Sequence, residues 1–260
     1  MRLLLLAVLL IFCLPQTYDE DYCNLKNTSF KEGEKITYKV YYRLAGVFVE
    51  AGEVLFSCNL EQLNNKPEYH LVATGMTLPF YDHFYKVRDH YESYIDTETL
   101  RPIHFIRNVR EGGAKRYEDI RFNHDSHTAI TDSGVIKVDP CIHDAISAVY
   151  YLRNINFTHV NAGYKIPFTI ILDSRVYTSY IRYLGKEIVK TKYGRFHAIK
   201  FKALLIKGTL FVEGEKMTVW VSDDENHLPL RVESAIVVGS VTADMMGFQN
   251  LRAPLSSRIQ

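Results

Sequence analysis

Apolar and polar side chains alternate every second residue through most of this chain, and no other feature restricts its fold as strongly. In KITYKVYYR, Ile36, Tyr38, Val40 and Tyr42 fall on one face and Thr37, Lys39, Tyr41 and Arg43 on the other. That is the period of a strand with one buried face. GVFVEAGEVLFSC and EYHLVATG follow as further strands, the first bent at Gly52. Beyond Pro79 a short helical turn is expected, before the extended stretch HYESYID. LRPIHFIRNVRE and AKRYEDIRFNH flank Gly112-Gly113, a hairpin signal with glycine at both turn positions that need positive φ. A two-glycine loop sets the register. It places Arg107 opposite Glu118, Phe105 opposite Ile120 and Ile103 opposite Phe122, so an ion pair continues an apolar face.

One segment leaves the two-residue period. DPCIHDAISAVYYLRNINF offers Asp139 as N-cap, Pro140 at the first helical position, and Ile142, Ile146 and Val149 as a stripe at helical spacing. A helix is predicted over roughly 140–153. From Tyr164 to Met246 strands return, and APLSSRIQ at the C-terminus reads as a frayed tail over the last residues of 251–260. The expected fold is mostly β: a curved antiparallel sheet or incomplete β-barrel wrapped around one central helix, whose apolar stripe the sheet buries. Residues 23–250 are read as a single β-rich domain, with two β subdomains as the alternative.

MRLLLLAVLLIFCLPQT opens with Arg2 and an apolar run too short to span a bilayer, so residues 1–17 read as a secretory signal. Cys13 raises the alternative of a lipid anchor, but Phe12 stands where lipidation requires a small residue. The remaining chain holds no segment of transmembrane length. The chain has 31 Lys and Arg against 30 Asp and Glu, and losing Arg2 with the leader brings them into balance. At this whole-chain balance no positive field for nucleic acid or an anionic membrane is expected. In an oxidising compartment Cys23 and Cys141, both in loop-like flanks, are the expected disulfide, leaving Cys58 at a strand end as a small buried hydrophobe.

The strongest candidate for a metal site is Asp223, Asp224, Glu225 and Asn226 in WVSDDENHLPLRVES, but it lacks the alternate spacing and glycine of a calcium loop. It reads as a solvated corner between two strands. His124 and His127 have no HExxH or CxxC frame and read as turn histidines. His143, Asp144 and Ser147 share the predicted helix, and no GxSxG elbow accompanies them. No catalytic residue, metal ligand or cofactor is assigned. Tyrosines set among charged groups suit a sugar or amphipathic ligand. Tyr81, Tyr85 and Tyr91 are therefore the candidate stacking surfaces, and Arg107 with Glu118 the candidate polar anchor.

FKEGEKITYKVYY with AGEV shortly after, CIHDAISAVYYLRN, RNVREGGAKRYEDIRF and VWVSDDENHLPLRVESAIVVGSVTAD together resemble the exported bacterial proteins of domain of unknown function 3108. The resemblance covers about residues 23–250. It implies secretion into the periplasm of a Gram-negative-type cell and a β-rich fold. The closing strand pattern is also similar to half-barrel carriers of lipoproteins. The expected function is a non-catalytic binding or carrier protein for a lipid or glycan. An envelope assembly factor working through a protein partner is the alternative, and a two-carboxylate carbohydrate enzyme is a third reading.

Overall fold

A computed structural model of the chain describes residues 22–63, 65–205 and 212–260. The leader over 1–17 and Cys13 lie outside them. The strands are β1 (Lys35–Leu44), β2 (Val47–Leu63), β3 (Lys66–Thr77), β4 (Val87–Asp96), β5 (Pro102–Glu111), β6 (Ala114–Asn123), β7 (Thr128–Thr131) and β8 (Gly134–Lys137). A two-residue β9 (Ile142–His143) and the helix α1 (Ala145–Leu152) precede β10 (Lys165–Leu172), β11 (Arg175–Lys190), β12 (Arg195–Leu205), β13 (Gly214–Ser222), β14 (Pro229–Ala235), β15 (Ser240–Gln249) and β16 (Arg258–Ile259). The turn expected after Pro79 is a 3-10 helix over Tyr81–His83.

Among the described residues these strands form one sheet. Its order is β8-β7-β6-β5-β4-β3-β2-β1-β15-β14-β13-β12-β11-β10-β9, with β16 added against β12. Neighbours are antiparallel except β9, which runs parallel to β10. The path ends at β8 and β9 without joining them, so the sheet is large and unclosed. Its buried side chains gather in three clusters. The first unites Leu71, Ile95, Phe105, Ile120 and Ile171 with Ile146 and Tyr150 of α1. The second is built from strand residues such as Ile36, Tyr38, Phe196, Trp220 and Met245. The third holds Ile166, Ile181, Ile199, Phe201 and Val219 with Phe157. The helix thus belongs to the first cluster, between β3–β7 and β10, and not to the second.

Several expectations change. The helix is shorter than 140–153 and starts at Ala145, because Asp144, not Asp139, is its N-cap. The Asp144 carboxylate accepts from Ile146 N and Ser147 N, both at 2.8 Å, and Ser147 Oγ accepts from Asp144 N at 2.9 Å. This reciprocal cap satisfies the first-turn donors. Asp139 instead accepts from Cys141 N at 2.8 Å in a local turn, and Ile142–His143 are drawn out as β9. At the β5–β6 hairpin only Gly112 has positive φ, at 61°, so one glycine, not two, meets the steric demand. The register is as expected for Arg107↔Glu118 and Phe105↔Ile120. The bend at Gly52 is a bulge, where pairing shifts between Val40 and Tyr41. A Cβ on Gly52 would lie 2.5 Å from Met76 O. Tyr41, assigned to the polar face, is buried beneath Phe48 and Lys192, so both faces of β1 are covered there.

The C-terminus is not frayed. β16 pairs with Arg195–Phe196, His197 N donates to Ser257 O at 2.8 Å, and Leu251 and Leu255 pack on the second cluster. Cys23 and Cys141 form the disulfide, and Cys58 is free and buried. The bridge closes a separation of 118 residues, so Cys23→Ser with Cys141→Ser is expected to cost about 2–4 kcal/mol. Chemical denaturation followed by emission of Trp220 checks this, since that buried indole is the chain's one tryptophan.

Candidate functional site

Three of the segments that carried the family resemblance meet at one buried point. Arg153, the residue after α1, holds Glu34 with two nitrogens at 2.6 and 2.9 Å. It also donates to Asn226 O and Ser29 O, each at 3.1 Å, and lies over the rings of Phe30 and Tyr150. Glu34 is wholly buried and Arg153 is 3% exposed. Burial alone would lower the Arg153 pKa, but the Glu34 charge outweighs it and the net shift is upward. Bidentate geometry with further acceptors is what a buried ion pair requires to offset its desolvation.

The acidic corner completes this clasp. Asp224 accepts from Ser222 Oγ at 2.8 Å, Asn226 N at 3.1 Å and Ser257 N at 3.1 Å. The buried Asn226 side chain donates to Ala253 O and accepts from Ala253 N. A ring nitrogen of His227 bonds Arg153 O at 2.6 Å, and burial lowers that imidazole's pKa. WVSDDENHLPLRVES is therefore a corner, as expected, but an interior one that fixes the C-terminal segment. Among the described residues no three His, Cys, Asp or Glu side chains converge on a point that could hold a metal.

Arg107 and Glu118 do not stand alone. Their side chains are buried and pair at 2.8 Å. The same guanidinium reaches Asp173 in the β10–β11 turn, whose carboxylate also takes Arg116 at 3.0 Å. Ser174 N donates to Glu118 at 3.0 Å. The strands β5–β6 and β10–β11 lie far apart along the sheet path, so these side chains latch its two arms where no backbone ladder does. Tyr91 lies across from Arg107 and packs on the first cluster. Tyr81 and Tyr85 sit apart from this network, at the 3-10 turn. The Tyr85 ring covers Gly112, where a Cβ would come within 2.7 Å.

Next to the latch, burial first and Glu111 second raise the Asp89 carboxyl to about 7. An acid whose pKa is higher folded than unfolded binds more protons in the native state between the two values. Stability therefore falls as pH rises from about 4 to 7. Asp89→Asn should stabilise the fold at pH 8 by on the order of 1–2 kcal/mol after allowance for partial solvation, and raise the melting midpoint accordingly. The difference should vanish as the pH falls toward 4. Thermal melts across that range check it.

A cleft of about 460 Å³ lies beside the disulfide, lined by Tyr22, Tyr151, Tyr164, Pro167, Phe168 and Thr178, with Asp139, Thr169 and His143 among its polar groups. It opens where β10 has only the two-residue β9 as outer partner. His143 is buried against Tyr151 at a ring distance of 4.2 Å. Its pKa falls to about 3 through burial first and then nearby positive charge. Its Nδ1 has no hydrogen-bond partner among the described residues. Ser147 and Asp144 are spent in the helix cap, and Ser93 Oγ donates to Asp144 at 2.6 Å, so no nucleophile–base pair forms with His143. This cleft holds one carboxylate, Asp139, and a smaller one of about 280 Å³ holds Asp89 between Arg88 and Arg110. No local pattern marks this cleft, because its lining comes from segments well separated along the chain.

The family described as "Protein of unknown function (DUF3108)" matches residues 37–246. No curated protein matches the chain. Among solved structures, the β-barrel-like protein of domain of unknown function DUF1849 from Brucella abortus is similar with TM-score 0.57 and 8% identity, over 87% of this chain and 99% of that one. A candidate lipoprotein from Parabacteroides distasonis (TM-score 0.36, 13% identity, 87% and 99% covered) matches more loosely. So does a candidate exported protein with a YmcC-like fold from Bacteroides fragilis (0.29, 12%, 87% and 100%). The first shares the β-barrel-like fold.

Proposed function

We propose that this chain, which belongs to the DUF3108 family of proteins of unknown function, is an exported, non-catalytic binding protein that carries a small amphipathic ligand, a lipid or glycan, beside its disulfide. The observation that carries the reading is the aromatic cleft of about 460 Å³. Its volume and its mix of rings with a few polar groups match small-molecule sites. Asp139 and Thr169 supply polar groups in an otherwise aromatic wall. The leader pattern of residues 1–17 and the Cys23–Cys141 bridge support the periplasm of a Gram-negative-type cell as the compartment. In this reading the sheet is an incomplete barrel around α1. Arg107 and Glu118 set the spacing of its arms rather than anchoring ligand, and Tyr91 supports them. Tyr81 and Tyr85 face a different surface.

The test uses the mature protein and the probe 1-anilinonaphthalene-8-sulfonate. Saturable binding is expected, abolished by Thr178→Trp, which fills the cleft from an exposed strand position, and kept by Phe84→Ser outside it. Equal binding by the wild type and Thr178→Trp would remove the cleft from the account.

A further inference from the structure

Turns at one end of the sheet leave an unusual set of large apolar side chains in solvent. Phe80 and Phe84 flank the 3-10 helix with 69% and 78% of their surfaces exposed and ring centroids 6.0 Å apart. Val237 and Val238 project from the β14–β15 turn, and Val47 and Phe48 from the β1–β2 hairpin. These turns adjoin one another. Tyr42 donates to Val238 O at 3.1 Å, Leu78 N to Ala51 O at 2.9 Å, and Gly112 N to Lys86 O at 2.9 Å. The tips therefore form one rim, chained from the β14–β15 turn through β1–β2 and the 3-10 turn to the β5–β6 hairpin.

Basic side chains border that rim. Arg43, Lys86, Arg110 and Lys115 are exposed and make no ion pair among the described residues, whereas the acids Asp82 and Glu50 are paired with Arg88 and Lys39. Glu111 is the unpaired acid among these turns. Phenylalanines and valines that project as small groups from separate turns, with unpaired bases behind them, suit an interface of acyl chains under phosphate groups. A protein-binding patch would instead present a continuous, closely packed face. We propose that this rim docks the protein on an anionic phospholipid bilayer, with Phe80 and Phe84 as the foremost inserted side chains. The inference stands on a surface separate from the disulfide-side cleft and does not depend on what that cleft holds.

The experiment is sedimentation of the mature protein, checked by intact mass to carry no acyl group, with vesicles of phosphatidylethanolamine and phosphatidylglycerol. Neutral phosphatidylcholine vesicles are the comparison. The wild type should bind the anionic vesicles, less so in high salt. Phe80→Ser with Phe84→Ser should lose roughly tenfold or more of the partitioning, since two aromatic side chains no longer leave water. Lys86→Glu with Lys115→Glu should weaken binding to anionic vesicles alone. All four positions are exposed, so the melting midpoint should stay unchanged. Wild-type protein that ignores both vesicles, or a Phe80/Phe84 variant that binds as the wild type does, overturns the proposal. If, in addition, the wild type self-associates and those substitutions abolish it, the rim belongs to a second copy of this chain.

Discussion

Arg153→Ala is expected to destabilise the fold by about 3–5 kcal/mol, because it strands the Glu34 carboxylate in a site with no access to water. The loss extends beyond one pair. Arg153 also ties Ser29 O and Asn226 O to the end of α1, and its own carbonyl receives His227. The N-terminal segment, the helix and the β13–β14 corner should therefore loosen together. Amide exchange at Asn226, Ala253 and Ser257 should rise in this variant, since the corner holds those groups. Arg153→Met combined with Glu34→Leu should recover much of the loss, because removing both charges leaves none unpaired. A double variant as unstable as Arg153→Ala would show that packing against Phe30 and Tyr150, not charge, is what the arginine supplies.

Arg107→Ala should cost about 3 kcal/mol or more, since Glu118 would keep only neutral backbone donors, Asp173 and Ser174, in a buried setting. Burial already raises the Glu118 pKa, with Arg107 opposing it. Without the guanidinium the carboxyl pKa should rise further, so the variant should lose more stability at pH 8 than at pH 5. The local consequence is the sharper one. Asp173 would be left with Arg116 at an exposed site, where an ion pair contributes little. Exchange at Ser174 should then rise toward that of an unprotected turn, while Phe105 and Ile120, in the same strands, keep their protection. Unchanged exchange at Ser174 would mean that backbone pairing of β10 with β11 holds the turn without the latch.

Much of this was legible from local pattern. The alternation that places Ile36 and Tyr38 inward, the Gly112 turn, and the facing of Arg107 and Glu118 all follow from two-residue periodicity and turn sterics. Both act within a few residues. The disulfide followed from which cysteines flank loops. Tyr41 was misplaced because its cover comes from Phe48 and Lys192, and Lys192 lies far along the chain. The helix start was misread for a local reason. Asp139-Pro140 and Asp144 both resemble caps, and only the Ser three residues after Asp144 completes the reciprocal bond. The clasp, the latch and the cleft were not legible, since each joins segments that alternation treats as independent strands. Arg153 in particular falls at the last position of the predicted helix, where no local pattern marks its distant partners.

Native mass spectrometry of the protein isolated from its own cell envelope tests whether the disulfide-side cleft carries an amphipathic ligand. A bound small species is expected on the wild-type protein, released on unfolding and missing from Thr178→Trp isolated in the same way. A wild-type mass equal to that of the bare mature chain, or the same adduct on Thr178→Trp, would contradict it.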